Sequence, residues 1–114
     1  MASNIHTPDL ERRLPPPVSR ATREIADHVV VWRKLRGLTQ SQLADRAGVS
    51  INALRRLEGA DPGVRFGTVL RILRGLGVLE QVSTALDPYA SDIGRLRSEE
   101  RLPGRVRSRD LIDE

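Results

Sequence analysis

The sequence predicts an all-α domain of five helices, with a flexible N-terminal arm over residues 1–19 and a C-terminal tail over residues 87–114. Three observations carry this. Apolar residues recur at intervals of three and four through residues 20–86. No segment alternates apolar and polar residues over strand length. Glycines and helix-capping Ser or Thr residues punctuate the pattern at short intervals.

The first helix, residues 20–36, is expected to turn Ile25, Val29 and Trp32 inward, with Thr22 as a candidate cap. Gly37 stops it, and Leu38 packs beneath the turn. Thr39 suits the N-cap of a second helix, residues 40–47, with Gln42 three positions on as its capping-box partner. That helix directs Leu43, Ala44 and Ala47 inward. Gly48 then supplies the left-handed conformation for a tight reversal. Ser50 caps a third helix over residues 51–57, with Leu54 and Leu57 facing the core, and Gly59 ends it. A loop built on Asp61-Pro62-Gly63 leads to a fourth helix, residues 66–76, with Val69, Leu70 and Leu73 buried. Gly75 and Gly77 bracket its end, and residues 78–86 give a fifth with Leu79, Val82 and Leu86. Beyond Asp87-Pro88 the pattern weakens to one short amphipathic helix carrying Ile93, Leu96 and Glu100, ended by Leu102-Pro103-Gly104.

The flanks and composition set limits. Pro8 and the run Pro15-Pro16-Pro17 lie in an arm with few large apolar residues, too few to offset its ordering entropy. The remaining core of about 65 residues is marginal alone, so dimerisation would help stabilise it. The chain has no cysteine, and His6 and His28 lie far apart, which leaves no thiolate metal site and little for zinc. No apolar run approaches the ~20 residues of a membrane span, and no signal-peptide core is present, so a bacterial cytoplasmic location is the expectation. Paired carboxylates in a cleft, a Ser/His/Asp set and a phosphate loop are all missing, so no enzyme and no cofactor is expected. The net charge is +4. Residues 20–86 hold eleven basic side chains against six acidic ones, and eighteen of the nineteen basic residues are Arg. Arginine suits phosphate and guanine recognition, although a G+C-rich genome would favour it everywhere.

Residues 37–59, GLTQSQLADRAGVSINALRRLEG, place two short helices about a glycine turn with the spacing of a helix-turn-helix. Ala44 is small where the two helices cross, and Val49 and Leu54 wedge between them. The third helix then projects as a rod whose first turn fits the major groove of DNA. Its outer face carries Ile51, Asn52, Arg55 and Arg56. Asn52 suits adenine, Arg55 or Arg56 suits guanine, and Ile51 suits a thymine methyl. Gln40 opens the second helix, whose free N–H groups suit a phosphate. Thr39 and Ser50 are placed to help, with plain helix capping an equal alternative. Arg65 is a second candidate phosphate contact.

Residues 29–79 resemble the phage-repressor (Xre, Cro/CI-like) helix-turn-helix family. Arg33, Gly37-Leu38-Thr39-Gln40, Leu43-Ala44, Ala47-Gly48-Val49-Ser50, Leu54, Leu57-Glu58-Gly59 and Leu76-Gly77-Val78 carry the likeness. It implies a lambda-repressor-like fold, double-stranded DNA as partner, and base contacts from the positions of Ile51, Asn52 and Arg56. It also implies a backbone-bridging role for Gln40 and an internal ion pair between Arg33 and Glu58. Ala53 stands where many relatives carry a phosphate-contacting Ser or Thr, a contact alanine cannot make.

Taken with the resemblance, these features point to a sequence-specific regulator, a repressor acting as a homodimer on a palindromic operator. Residues 87–107 are similar to tails on regulators encoded beside HipA-like kinases. That makes an antitoxin, with a toxin protein as partner and autoregulation of a toxin–antitoxin operon, the narrower form of the reading. The alternative is a protein-interaction module of the same fold that no longer binds DNA. The basic outer face of the third helix argues against it. Arg36, Arg46, Arg71 and Arg74 read as solvated faces, and Trp32 as a packing anchor.

Overall fold

A computed structural model describes residues 13–101. They form six α-helices, α1 (Pro16–Leu35), α2 (Gln40–Ala47), α3 (Ile51–Glu58), α4 (Phe66–Leu76), α5 (Leu79–Ala85) and α6 (Asp92–Arg101). A 3-10 turn at Pro88–Ala90 precedes α6, and no strand occurs among the described residues. The described residues divide into two compact units, one ending at Val78 and the other beginning at Leu79. The all-α class stands, consistent with a lambda-repressor-like fold, and beyond the five helices of the expected domain α6 is the short one expected in the tail. The parts of the expected arm and tail at residues 1–12 and 102–114 lie outside the described residues.

In the first unit α1 begins at Pro16, four residues before the expected start, so residues 16–19 of the stretch read as an arm are helix. The proline run does not break the helix. Pro15 is the N-cap, and Pro16 and Pro17 fall in the first turn, where a missing N–H costs nothing because no intrahelical partner exists there. Thr22 is therefore not a cap; its hydroxyl donates to the Val18 carbonyl (2.8 Å) inside the helix.

The inward face of α1 is also rotated from the expected one. Ala26 and Val29 are buried, Ile25 is 47% exposed, and Trp32 is half-buried beneath the Arg36 guanidinium, which stands 4.9 Å from its ring centroid. Ser19, Thr22, Ala26, Val29, Val30, Trp32 and Arg33 are the covered positions along the helix, and Ser19, Thr22, Ala26, Val29 and Arg33 form a stripe at spacings of three and four.

The turn region follows the local chemistry closely. Thr39 Oγ1 accepts from the Gln42 N–H (3.0 Å), and Gln42 Oε1 accepts from the Thr39 N–H (2.9 Å), a complete capping box. Gly48 ends α2 at φ 70°, and the Val49 N–H closes onto the Ala44 carbonyl (3.0 Å). Ser50 caps α3 by accepting from the Ala53 N–H (3.0 Å).

Leu43 and Ala44 of α2, Leu54 and Leu57 of α3, and Ile72, Leu73 and Leu76 of α4 meet Ala26, Val29 and Val78 in the core. Each fully buried aliphatic side chain there contributes about 1.5–3 kcal/mol. On α4 the expected face needs correcting: Val69 and Leu70 are only half-buried, while Ile72 and Leu76 join Leu73 inside. Gly75 marks a close approach of α4 to α2. A Cβ there would stand 3.2 Å from Leu43 Cδ1 and 3.3 Å from Ala47 Cβ.

The second unit is held by short-range bonds. Asp87 accepts from the Tyr89 N–H (2.9 Å), and Ser91 Oγ accepts from the Gly94 N–H (3.0 Å). Gly94 sits directly under the Pro88 carbonyl, with no room for a Cβ. The short helix expected to carry Ile93, Leu96 and Glu100 is α6. Neither α5 nor α6 contains a buried residue, and Val82, Leu86, Ile93 and Leu96 are exposed.

Candidate nucleic-acid interface

One polar network joins α1, α2 and α3. Arg33, from the end of α1, grips Glu58 at the end of α3 with two bonds, Nε to Oε2 at 2.7 Å and Nη2 to Oε1 at 3.2 Å. Its remaining Nη1 donates to the Leu38 carbonyl (3.0 Å), which ties in the α1–α2 turn. The pair is largely shielded, with side-chain exposures of 13% and 6%. Glu58 Oε1 also accepts from Gln40 Nε2 (2.9 Å).

That bond fixes which way the Gln40 amide faces. Its nitrogen points at Glu58, so its oxygen points outward and accepts from Arg55 Nε (3.4 Å). A chain of contacts therefore runs from α1 through Glu58 and Gln40 to a side chain on the outer face of α3.

That outer face carries Asn52, Arg55 and Arg56, all exposed, beside half-buried Ile51. Spacings of one, three and four put these residues on one side of the helix, opposite Leu54 and Leu57. Thr39 and Ser50 are exposed, and both spend their oxygens on capping. As hydroxyls they retain a proton to donate outward.

Arg65 precedes α4 without a side-chain cap of its own. It shares a shallow concavity with Gly48, Val49, Ser50, Ala53, Gly67, Thr68 and Arg71. The structure thus brings Arg65 next to the turn and to the first turn of α3, and no acidic side chain lines that concavity. Ala53 stands half-buried in its wall, with only a methyl group to offer.

Arg56 has a partner the sequence reading did not name. Its Nε bonds Asp61 Oδ2 at 2.7 Å, with side-chain exposures of 52% and 38%. Asp61 Oδ1 accepts from the Gly63 N–H (2.8 Å). The Arg56 guanidinium first, and the Gly63 N–H second, hold the Asp61 carboxyl below the usual carboxylate range. The signal available in the sequence was an acid five residues beyond Arg56, opening an Asp-Pro-Gly turn that fixes its own side chain.

A second basic concavity gathers Arg36, Arg46, Arg71 and Arg74 around Ala47, Gly75, Leu76 and Gly77, with no α3 residue in its wall. All four arginines are exposed, as expected of solvated faces, and two of them also bond the backbone. Arg36 Nε donates to the Leu76 carbonyl (2.9 Å) and Arg71 Nη1 to the Gly48 carbonyl (3.4 Å). Arg46 and Arg74 lie in the last turns of α2 and α4, where positive charge complements the helix dipole.

Among the described residues no group of His, Asp or Glu is placed to hold a metal ion, and no helix is long and apolar enough to cross a membrane.

A capped helix, a glycine turn and a second helix held with its polar face outward define a helix-turn-helix protein. The family model described as a helix-turn-helix domain matches residues 15–86, more than half of the chain, and the protein belongs to that family. This membership supports a DNA-binding regulator. No curated protein and no solved structure matches the chain.

Proposed function

We propose that this protein is a sequence-specific transcriptional regulator whose α3 enters the major groove of duplex DNA. The observation that carries the reading is the outward face of α3, basic and polar, tied back to α1 and α2 through Arg33, Glu58, Gln40 and Arg55. A helix held this firmly offers its side chains in one geometry, which base-edge recognition requires. Ile51, Asn52, Arg55 and Arg56 contact bases. Thr39, Gln40, Ser50 and Arg65 contact phosphates on either side.

One such helix reads only a few base pairs, so the protein acts as a homodimer on a palindromic operator. It works as a repressor in the bacterial cytoplasm. The antitoxin form of the reading rests on the resemblance of residues 87–107 to tails on regulators encoded beside HipA-like kinases. A toxin reading frame next to the gene, whose product co-purifies with this chain, supports it; a neighbourhood without one removes it.

The experiment is selection of bound duplexes from a random-sequence library, followed by the Asn52→Ala/Arg56→Ala double variant on the recovered site. The expected result is a symmetric site, and loss of discrimination in the variant with helicity retained. A variant that selects the same site overturns the recognition assignment. A wild-type chain that enriches no sequence supports the protein-interaction alternative instead.

A further inference from the structure

We infer that Asp61 is a specificity-determining positioning residue: it holds the Arg56 guanidinium by its Nε edge, so that the two terminal nitrogens are presented together to a guanine. The inference rests on the proposed role of Arg56 as a base contact.

A guanidinium is a planar fork with a fixed set of donors. An arginine at a helix surface has several rotatable bonds and sweeps a wide volume, so its fork must be immobilised before it can discriminate. Here Nε is bonded to Asp61 Oδ2 at 2.7 Å. The Nη1–Nη2 edge faces away from that bond and matches the O6 and N7 acceptors that guanine shows in the major groove.

The carboxylate that grips Arg56 is itself fixed. Asp61 Oδ1 takes the Gly63 N–H at 2.8 Å, so both oxygens are committed and the carboxyl plane is set by the turn. The Asp61 N–H donates to the carbonyl of Arg56 at 3.0 Å, which fastens the loop back onto the same residue. Just before it, Ala60 is the one non-glycine residue with positive φ among the described residues, at 63°. It fills the left-handed place that Gly37, Gly48 and Gly77 take after the other helices, closing α3 with the Ala60 N–H on the Leu57 carbonyl and turning the chain back so that Asp61 follows at once. The reversal it permits brings an acid up beside the face of α3 proposed to meet DNA, where a lone carboxylate would only repel the duplex.

The alternative role is repulsion alone, in which Asp61 simply lowers affinity for any duplex. The two differ in what removal does. Loss of a repelling charge raises binding to all sequences equally. Loss of a positioning bond raises non-specific binding but lowers discrimination at one base pair.

The test uses the full chain and four proteins: wild type, Asp61→Ala, Arg56→Ala and the double variant, each checked for helicity. Each is measured on the duplex that the wild type selects from a random library and on a shuffled duplex of the same composition. Asp61→Ala is expected to bind the shuffled duplex more tightly and to lower the selected-to-shuffled ratio roughly 5-fold, the scale of an exposed ion pair. Arg56→Ala is expected to lower that ratio about 10-fold or more. Adding Asp61→Ala to Arg56→Ala then lowers it no further, because the two act as one unit. Library selections repeated with each single variant lose the same guanine. If Arg56→Ala reduces the ratio but Asp61→Ala leaves it unchanged, or lowers it equally without Arg56, the inference is overturned and the base-contact reading survives. If Arg56→Ala has no effect, both are overturned.

Discussion

Removing the Glu58 carboxylate tests how α3 is held. In Glu58→Ala three bonds vanish together, two from Arg33 and one from Gln40. Arg33 is then left with the Leu38 carbonyl as its remaining bonded partner, while its side chain stays largely out of water. Breaking a buried ion pair from one side costs about 3–5 kcal/mol, because the surviving charge is uncompensated. The retained carbonyl bond argues for the lower end, ~3 kcal/mol. A domain this small has a total stability of only about 5 kcal/mol. The melting temperature should therefore fall by roughly 12–24 °C, at about 4–8 °C per kcal/mol. Thermal unfolding followed by circular dichroism at 222 nm measures this, with urea titration as an isothermal check. A melting temperature within roughly 4 °C of wild type would refute the claim that the pair anchors α3.

A second variant separates stability from recognition. Arg33→Met with Glu58→Leu removes both charges and leaves apolar groups that fill the space, a change that is often near neutral. Its melting temperature should recover most of the loss. The Gln40 amide would still lack its acceptor, and Arg55 would lose the oriented oxygen behind it, so binding to a selected duplex should remain weakened. A double variant that restores both stability and binding would show that Gln40 and Arg55 need no support from Glu58.

Three further outcomes follow from the same geometry. Gly75→Ala gains helix propensity of about 1 kcal/mol. It also pushes a Cβ against Leu43 and Ala47, and overpacking of about 1–3 kcal/mol should leave it net destabilised in urea titration. Ala60→Gly relieves the positive φ at that position and should stabilise the fold by about 0.5–1 kcal/mol, read as a raised urea midpoint at unchanged slope. Arg65→Ala should weaken binding to selected and shuffled duplexes alike and reduce the slope of log affinity against log salt by about 1, measured by fluorescence anisotropy across a salt series.

What the sequence made legible was chiefly local. Thr39 with Gln42, Gly48, Ser50 and Gly59 each satisfy a backbone need within three or four residues, and such needs are written beside the groups that have them. The start of α1 is hidden in the sequence because three prolines in a row look like a break. In the first turn the N–H that proline lacks has no partner to lose.

The buried faces of α1 and α4 are only partly legible, at Val29 and Leu73, for a different reason. Successive residues are about 100° apart on a helix, so weighting by side-chain size rotates the inferred face whenever a large residue flanks a small one. Ile25 outweighed Ala26, although Ala26 is the buried one. On α4, Val69 and Leu70 outweighed the stripe that runs through Ile72 and Leu76.

The correct face of α1 was nevertheless recoverable from its polar end. If Arg33 reaches inward to Glu58, residues four and seven positions earlier must share its side, and these are Val29 and Ala26. A charged residue with an assigned partner is a stronger marker of direction than an apolar one, because an isoleucine can sit at a surface at little cost while an unpaired buried guanidinium cannot. The same logic works outward on α3. Arg55 and Arg56 are adjacent and chemically identical, and no hydrophobic pattern separates them. Their partners do: Gln40, on α2, holds one, and Asp61, on the following loop, holds the other. The two forks are therefore anchored from different elements, one from α2 and one from the loop that follows α3. On the proposed reading, a change in the α3–α4 loop should alter the base pair selected through Arg56 without disturbing the one selected through Arg55, as library selection would show.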